Sequence, residues 1–182
     1  MRSDKLKTIS IICFNLISFS LFSQSSDSVS VQKPLAILHT YPEIKGYIGI
    51  LHPLYTLSKE GNTVNFKDYY LVGNPWGINI WKSKRYGFSF ELTPFIRADN
   101  KGSKLSNFLF HPGVLYRIKH DFTLVGRVAY ETSGRYGLTP GINKVLIRTP
   151  YNTFFVALMM PVRFGNNHAP SYTASFQFGI GF

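Results

Sequence analysis

The sequence predicts an all-β fold, an antiparallel up-and-down barrel of eight strands. Three observations point to it. Apolar and polar residues alternate one by one over long stretches, aromatic and β-branched residues recur between Gly-containing turns, and helical periodicity is missing. At 182 residues the chain has the length of one domain with a full core.

The chain opens with Arg2, Lys5 and Lys7, an apolar stretch from Ile9 to Phe22, and small or polar residues at Ser23 to Ser26. That order is a secretory leader, assigned to residues 1–24. The single cysteine, Cys13, lies inside it, and Ile12 before it is not the small residue that a lipoprotein signal needs there. The processed chain therefore has no thiol, which removes disulfides, thiolate catalysis and thiolate metal sites from consideration. Residues 25–43 read as a polar N-terminal lead in the periplasm, with a plug entering the barrel as the alternative, and residues 44–182 as the barrel domain.

Eight strands are predicted at 44–57, 69–82, 85–98, 106–119, 121–132, 136–147, 152–164 and 172–182. Alternation is clearest in the last, where Tyr172, Ala174, Phe176, Phe178, Ile180 and Phe182 interleave with Thr173, Ser175, Gln177, Gly179 and Gly181. In the third strand Tyr86, Phe88, Phe90, Leu92 and Ile96 oppose Gly87, Ser89, Glu91, Thr93 and Arg97; in the fifth Phe122, Leu124, Val128 and Tyr130 oppose Thr123, Arg127 and Glu131. Charges sit in mid-strand opposite a nearly unbroken bulky apolar face. That is the pattern of a transmembrane β-barrel with lipid outside and a polar interior. A membrane helix, which needs roughly 18 consecutive apolar residues, has no candidate after the leader, since the longest apolar run, Phe154 to Val162, is broken by Pro161.

Prolines stand out in five of these strands, in His52-Pro53, Thr93-Pro94, His111-Pro112, Thr139-Pro140 and Met160-Pro161. Proline cannot donate to a ladder, so each is expected to mark a bulge or bend, the alternative being a belt of irregular wall. With Phe182 at the periplasmic end, the short connections 83–84, 119–121 and 148–151 lie there, and the longer ones 58–68, 99–105 and 165–171 lie outside, with Ser133 to Arg135 as a tight exception. Trp76 and Trp81, with Tyr47, Tyr55, Tyr69, Tyr70, Tyr86, Tyr116, Tyr130, Tyr136 and Tyr172, are candidates for interfacial girdles.

The terminal run Ser-Tyr-Thr-Ala-Ser-Phe-Gln-Phe-Gly-Ile-Gly-Phe, closing on Phe182, resembles the C-terminal strand of small outer-membrane β-barrel proteins of Gram-negative bacteria. The resemblance implies an outer-membrane location and an assembly signal in Tyr172, Phe176, Phe178, Ile180 and Phe182. It also implies outer-membrane lipid, lipopolysaccharide and the barrel-assembly machinery as partners. It extends to the leader and the strand pattern and carries no functional residues of a named family.

If even positions face lipid from residue 85 onward, Glu91, His111, Arg117, Arg127, Glu131 and Arg163 share the lumen. Counting antiparallel neighbours from the turn near His120 puts Gly113 beside Arg127, and counting from the loop near Asn100 puts it near Glu91. A Glu91–Arg127 ion pair across Gly113 follows as an expectation. An eight-stranded barrel is filled by its side chains or holds one small ligand, so a general diffusion channel is not expected. A narrow path lined by more Arg than Glu would favour anions.

Net charge is +11 for the full chain; removing the leader takes three basic residues and Asp4 from 20 and 9, leaving 17 basic and 8 acidic. The basic residues are scattered singly, which argues against nucleic acid and for anionic headgroups. No cofactor or metal is expected, because the His residues stand alone and no Asp/Glu-rich loop or phosphate-binding Gly loop occurs; Gly134 to Gly137 reads as a turn. An enzyme is not expected either. Some barrels of this size modify lipid A, but none of His39, His52, His111, His120 and His168 has a serine and an acid at telling spacing. The reading is a structural, adhesive or narrow small-solute-transport barrel. Its rival is a secreted soluble barrel with an apolar interior ligand, in which the two faces are exchanged.

Overall fold

The computed structural model describes residues 40–67 and 69–182; the leader and most of the N-terminal lead lie outside them. Eleven strands run in chain order: β1 (Glu43–Ser58), β2 (Thr63–Val64), β3 (Tyr70–Gly73), β4 (Trp76–Trp81), β5 (Tyr86–Asp99), β6 (Gly102–Arg117), β7 (Phe122–Glu131), β8 (Tyr136–Arg148), β9 (Thr153–Met159), β10 (Val162–Phe164) and β11 (Ser171–Gly181). Every pairing is antiparallel, β3 and β4 both lie between β1 and β5, β5 to β9 add in chain order, β10 lies between β8 and β11, and β11 pairs back with β1 from Tyr47↔Gly181 to Ser58↔Ser171. The sheet is therefore a closed barrel, and closure leaves no free edge.

Eleven strands make eight staves. β3 and β4 form one, because Leu51↔Gly73 and Ile48↔Trp76 hold one register along β1, as Gly73↔Phe95 and Trp76↔Leu92 do along β5. β9 and β10 form another, in one register against β8 at Gly141↔Met159 and Leu138↔Val162. β2 lies off the ring as a two-residue flap on β1.

The faces follow the alternation in the sequence. In β5, Tyr86, Phe88, Phe90 and Leu92 are exposed while Ser89, Glu91 and Thr93 are buried; in β7, Leu124, Val128 and Tyr130 are exposed while Val125, Arg127 and Ala129 are buried. Large apolar groups cover the outside, and the inside is mixed: Ser89, Glu91, Thr93 and Arg127 share it with a buried apolar cluster of Leu51, Trp81, Leu115, Val125, Ala157 and Met159. The rival soluble barrel requires the opposite assignment.

The prolines correct one expectation. Of the five, only Pro53 stands at a register shift, between Pro53 and Tyr55 on β1. Pro112, Pro140 and Pro161 keep their register, and the shift past Phe95 inserts Ser106 in β6 rather than a residue beside Pro94. A sixth proline, Pro75, which the sequence reading passed over, is fully buried where the ladder between β3 and β4 is interrupted. Proline here interrupts strand assignment without slipping the pairing. Its carbonyl still accepts: Pro75 O from Gly49 N, Pro94 O from Asn74 N, Pro140 O from Met160 N and Pro161 O from Thr173 N.

Pro53 has a further consequence. The β1–β3 register carries on from Leu51↔Gly73 to set Pro53 opposite Leu71, to which proline can offer no N–H. Asn65 fills that place. Its Nδ2 donates to Leu71 O and its Oδ1 accepts from Leu71 N, both at 2.8 Å, while its own backbone N donates to Leu54 O. The carboxamide acts as a substitute peptide group that stitches β1 to β3, and Asn65 is buried in consequence. Asn65→Ala is expected to cost about 1–3 kcal/mol, the penalty for leaving such groups unsatisfied. Urea unfolding in detergent checks it, and an unchanged midpoint would show that the stitch carries no load.

A second correction concerns loop length. The predicted loop 99–105 is only a turn at residues 100–101, because β5 and β6 continue as a hairpin to Asp99↔Gly102. Gly102 makes that turn at φ 114°, where a side chain would be strained. Segments 59–69 and 165–170 thus carry the long connections at the end opposite Phe182. They are tied together. Glu60 accepts from Ala169 N and pairs with His168 at 2.9 Å, and the Ala169 amide, then the His168 ring, hold its carboxyl below the usual carboxylate range.

Candidate functional site

Three of the six predicted lumenal residues meet at one carboxylate. Glu91 on β5 receives Arg127 Nη1 from β7 at 3.2 Å, Tyr47 Oη from β1 at 2.7 Å and His111 Nδ1 from β6 at 3.0 Å. Thr93 Oγ1 donates at 3.3 Å to Oε1, the oxygen that His111 also contacts, while Arg127 and Tyr47 share Oε2. Arg127 Nη2 donates in turn to Tyr47 Oη and Ser89 Oγ. Glu91, Arg127 and His111 are 3%, 6% and 3% exposed, so the charges are desolvated and stand only because they are paired. The expected Glu91 to Arg127 contact is present, with one correction to how it arises. The register partner of Glu91 is His111, and Gly113 faces Ser89 on β5 and Arg127 on β7.

Glycine explains how such large groups fit. Tyr47 is paired with Gly77, Arg127 with Gly113 and Met159 with Gly141. A Cβ on those glycines would stand 2.3 Å from Tyr47 Oη, 2.5 Å from Arg127 Cγ and 2.3 Å from Met159 Sδ. Each bulky inward side chain lies across a missing one on the neighbouring strand.

Two more of the six form a second layer nearer the long loops. Arg163 Nε donates to Glu131 Oε1 at 2.8 Å, Arg163 Nη1 caps Leu138 O, Thr139 Oγ1 and Val162 O, and Asn107 and Ser133 complete Glu131. Arg117 joins neither layer. Its guanidinium lies 3.6 Å over the Trp81 ring and 3.5 Å from Glu43, towards the Phe182 end. Trp81 and Tyr47, taken above as girdle candidates, are buried inside instead, at 4% and 5% exposure. Of the other girdle candidates, Tyr55, Trp76, Tyr86, Tyr130, Tyr136 and Tyr172 are exposed. In the last strand Tyr172, Ile180 and Phe182 are exposed and Phe176 and Phe178 half-buried.

The Glu91 layer divides the lumen. Towards Phe182 lies a cavity of about 160 Å³ lined by Tyr47, Arg127, Trp81 and Arg117; towards the long loops lies one of about 190 Å³ lined by Glu91, His111, Arg135 and Arg163. Met159 and Gln177 border both. The sequence reading missed Tyr47, Asn107, Arg135, Ser175 and Gln177 as lumenal residues. For Ser175 and Gln177 the odd positions of the last strand were a legible signal; Arg135, read as part of a turn, had none. Among the described residues no group of three or more His, Cys, Asp or Glu is placed to hold a metal. His111 bears a carboxylate on Nδ1, but its Nε2 bonds no hydroxyl among those residues.

The class defined by this geometry is a closed eight-stave antiparallel barrel, ion-paired within and apolar without. No family model and no curated protein matches the chain. Among solved structures, the de novo designed TMB2.3 is similar at 12% identity with a TM-score of 0.39, over 78% of this chain and 93% of that one. The outer membrane protein OprG from Pseudomonas aeruginosa is similar at 10% identity with a TM-score of 0.37, over 76% and 92%. Both likenesses are remote, and the barrel is defined by the chain's own ladder.

Proposed function

We propose that the chain is an integral outer-membrane barrel with a structural or adhesive role, closed to free diffusion by the Glu91–Arg127–Tyr47 layer. The observation that carries this is the inversion of faces. Ile48, Ile78, Phe90, Phe110, Val114, Leu124, Leu138, Leu158 and Ile180 are all more than 40% exposed, each on a different stave or level, around an interior of buried charges. Monomeric soluble proteins rarely leave apolar patches above a few hundred Å² in water, whereas lipid takes such a surface at no cost. Outer-membrane lipid and lipopolysaccharide against the exterior, and the barrel-assembly machinery reading the last strand, belong to the same reading.

Narrow small-solute transport is the second reading, favoured by the two vestibules that only one side-chain layer separates. Fractionation with heated and unheated electrophoresis tests the first: the protein should partition with the outer membrane and change mobility on heating. Recovery from the soluble periplasm would overturn it. In planar bilayers the purified barrel should pass no steady ionic current, and stepwise conductance would favour the transport reading.

A further inference from the structure

We propose that the vestibule on the long-loop side is a binding site for a small carboxylate that also carries a hydroxyl or ammonium hydrogen-bond donor. Three buried polar atoms without a partner among the described residues border this single cavity: His111 Nε2, Ser175 Oγ and Arg135 Nε. His111 and Ser175 are each 3% exposed, so bulk water does not solvate them. Buried polar groups are ordinarily paired, and their convergence on a cavity of about 190 Å³ marks a place where something polar belongs.

The chemistry of the two ends differs. At the inner end, Glu91 is the ionised partner of Arg127 and has no proton to give, so His111 Nδ1 is the donor in their contact. An imidazole with its one proton on Nδ1 presents a bare Nε2, which accepts. That end selects a ligand donor. At the outer end Arg127 is ion-paired with Glu91 and Arg163 with Glu131, whereas Arg135 makes no direct ion pair among the described residues and its charge is felt by the loop carboxylate Glu60. Its Nη2 is held by Arg163 O, Ala169 O and Ser171 Oγ, which fixes the guanidinium at the cavity wall while Nε remains unused. A fixed guanidinium without a direct ion pair selects a carboxylate. Ser175 Oγ can serve either end. Binding here does not require the barrel to conduct.

Three probes of one shape separate the two requirements. Lactate has both the charge and the hydroxyl, propionate lacks the hydroxyl, and lactamide lacks the charge. Titration into the detergent-purified full-length barrel, read by calorimetry or by ligand-observed NMR, should give at least about tenfold tighter binding for lactate than for either analogue. Arg135→Gln should abolish the preference over lactamide and leave that over propionate. His111→Asn retains an amide donor towards Glu91 but removes the Nε2 acceptor, and should abolish only the preference over propionate. Heat-modifiable mobility checks that each variant is folded. Equal affinity for all three probes, preferences that survive both substitutions, or no binding to the folded protein would each overturn the site and leave an ordinary water-filled vestibule.

Discussion

Glu91→Ala is expected to destabilise the barrel by about 3–5 kcal/mol, the cost typical of leaving one partner of a buried pair without the other. Arg127 would then remain 6% exposed with only Tyr47 and Ser89 as neutral partners. Arg127→Met should cost a similar amount, since Glu91 would keep only Tyr47, His111 and Thr93 as partners. The double replacement Glu91→Leu with Arg127→Met should recover most of the loss, because apolar groups of similar volume avoid the desolvation penalty altogether. A double-mutant cycle on Glu91→Leu, Arg127→Met and their combination, by urea unfolding in detergent, measures the coupling. A coupling energy near zero would mean that water solvates the two charges separately, and the septum would lose its physical basis.

Gly113→Val is the second large effect. The new Cβ would fall 2.4 Å from Gly126 O and 2.5 Å from Arg127 Cγ, so the arginine must leave its place across β6. Overpacking of this kind costs about 1–3 kcal/mol, and displacing Arg127 from Glu91 adds a share of the pair's loss. The sum is expected to exceed about 3 kcal/mol, followed by the fluorescence of the buried Trp81 during unfolding. Gly126→Val is the control: it faces outwards, a new Cβ there would meet Val114 Cγ2 at 3.8 Å, and its cost should stay below about 1 kcal/mol. Equal costs at the two glycines would refute the view that Gly113 exists to receive Arg127.

Much of the fold was legible because a period of two residues needs no tertiary information. Tyr86 to Thr93 and Leu124 to Glu131 state their own faces, and strand ends such as Gly102, Gly134 and Gly165 carry the left-handed turns that mark them. Prolines misled because a sequence shows the missing donor and not how the fold absorbs it: Pro112 and Pro140 keep the ladder in register, and at Pro53 a remote side chain supplies the substitute. Asn65 is twelve residues from Pro53 in the chain, and only the return of segment 59–69 onto β1 brings its amide to Leu71. Tyr47 misled for a related reason, since an aromatic residue in a strand suits a girdle or a lumen equally until its facing residue, Gly77, is known.

The sequence by itself determined the all-β class, the eight staves, the inward face and most of the charges that share it, Arg135 excepted, all consequences of local alternation. Tertiary structure alone decided which charge meets which. Partners in a barrel depend on register and shear accumulated around the whole ring, and a displacement of two residues on one strand changes every contact across the lumen. Hence Glu91 meets His111 in register, Arg127 reaches it over Gly113, Arg163 turns to Glu131, and Arg135 is left without a direct ion pair on the vestibule wall.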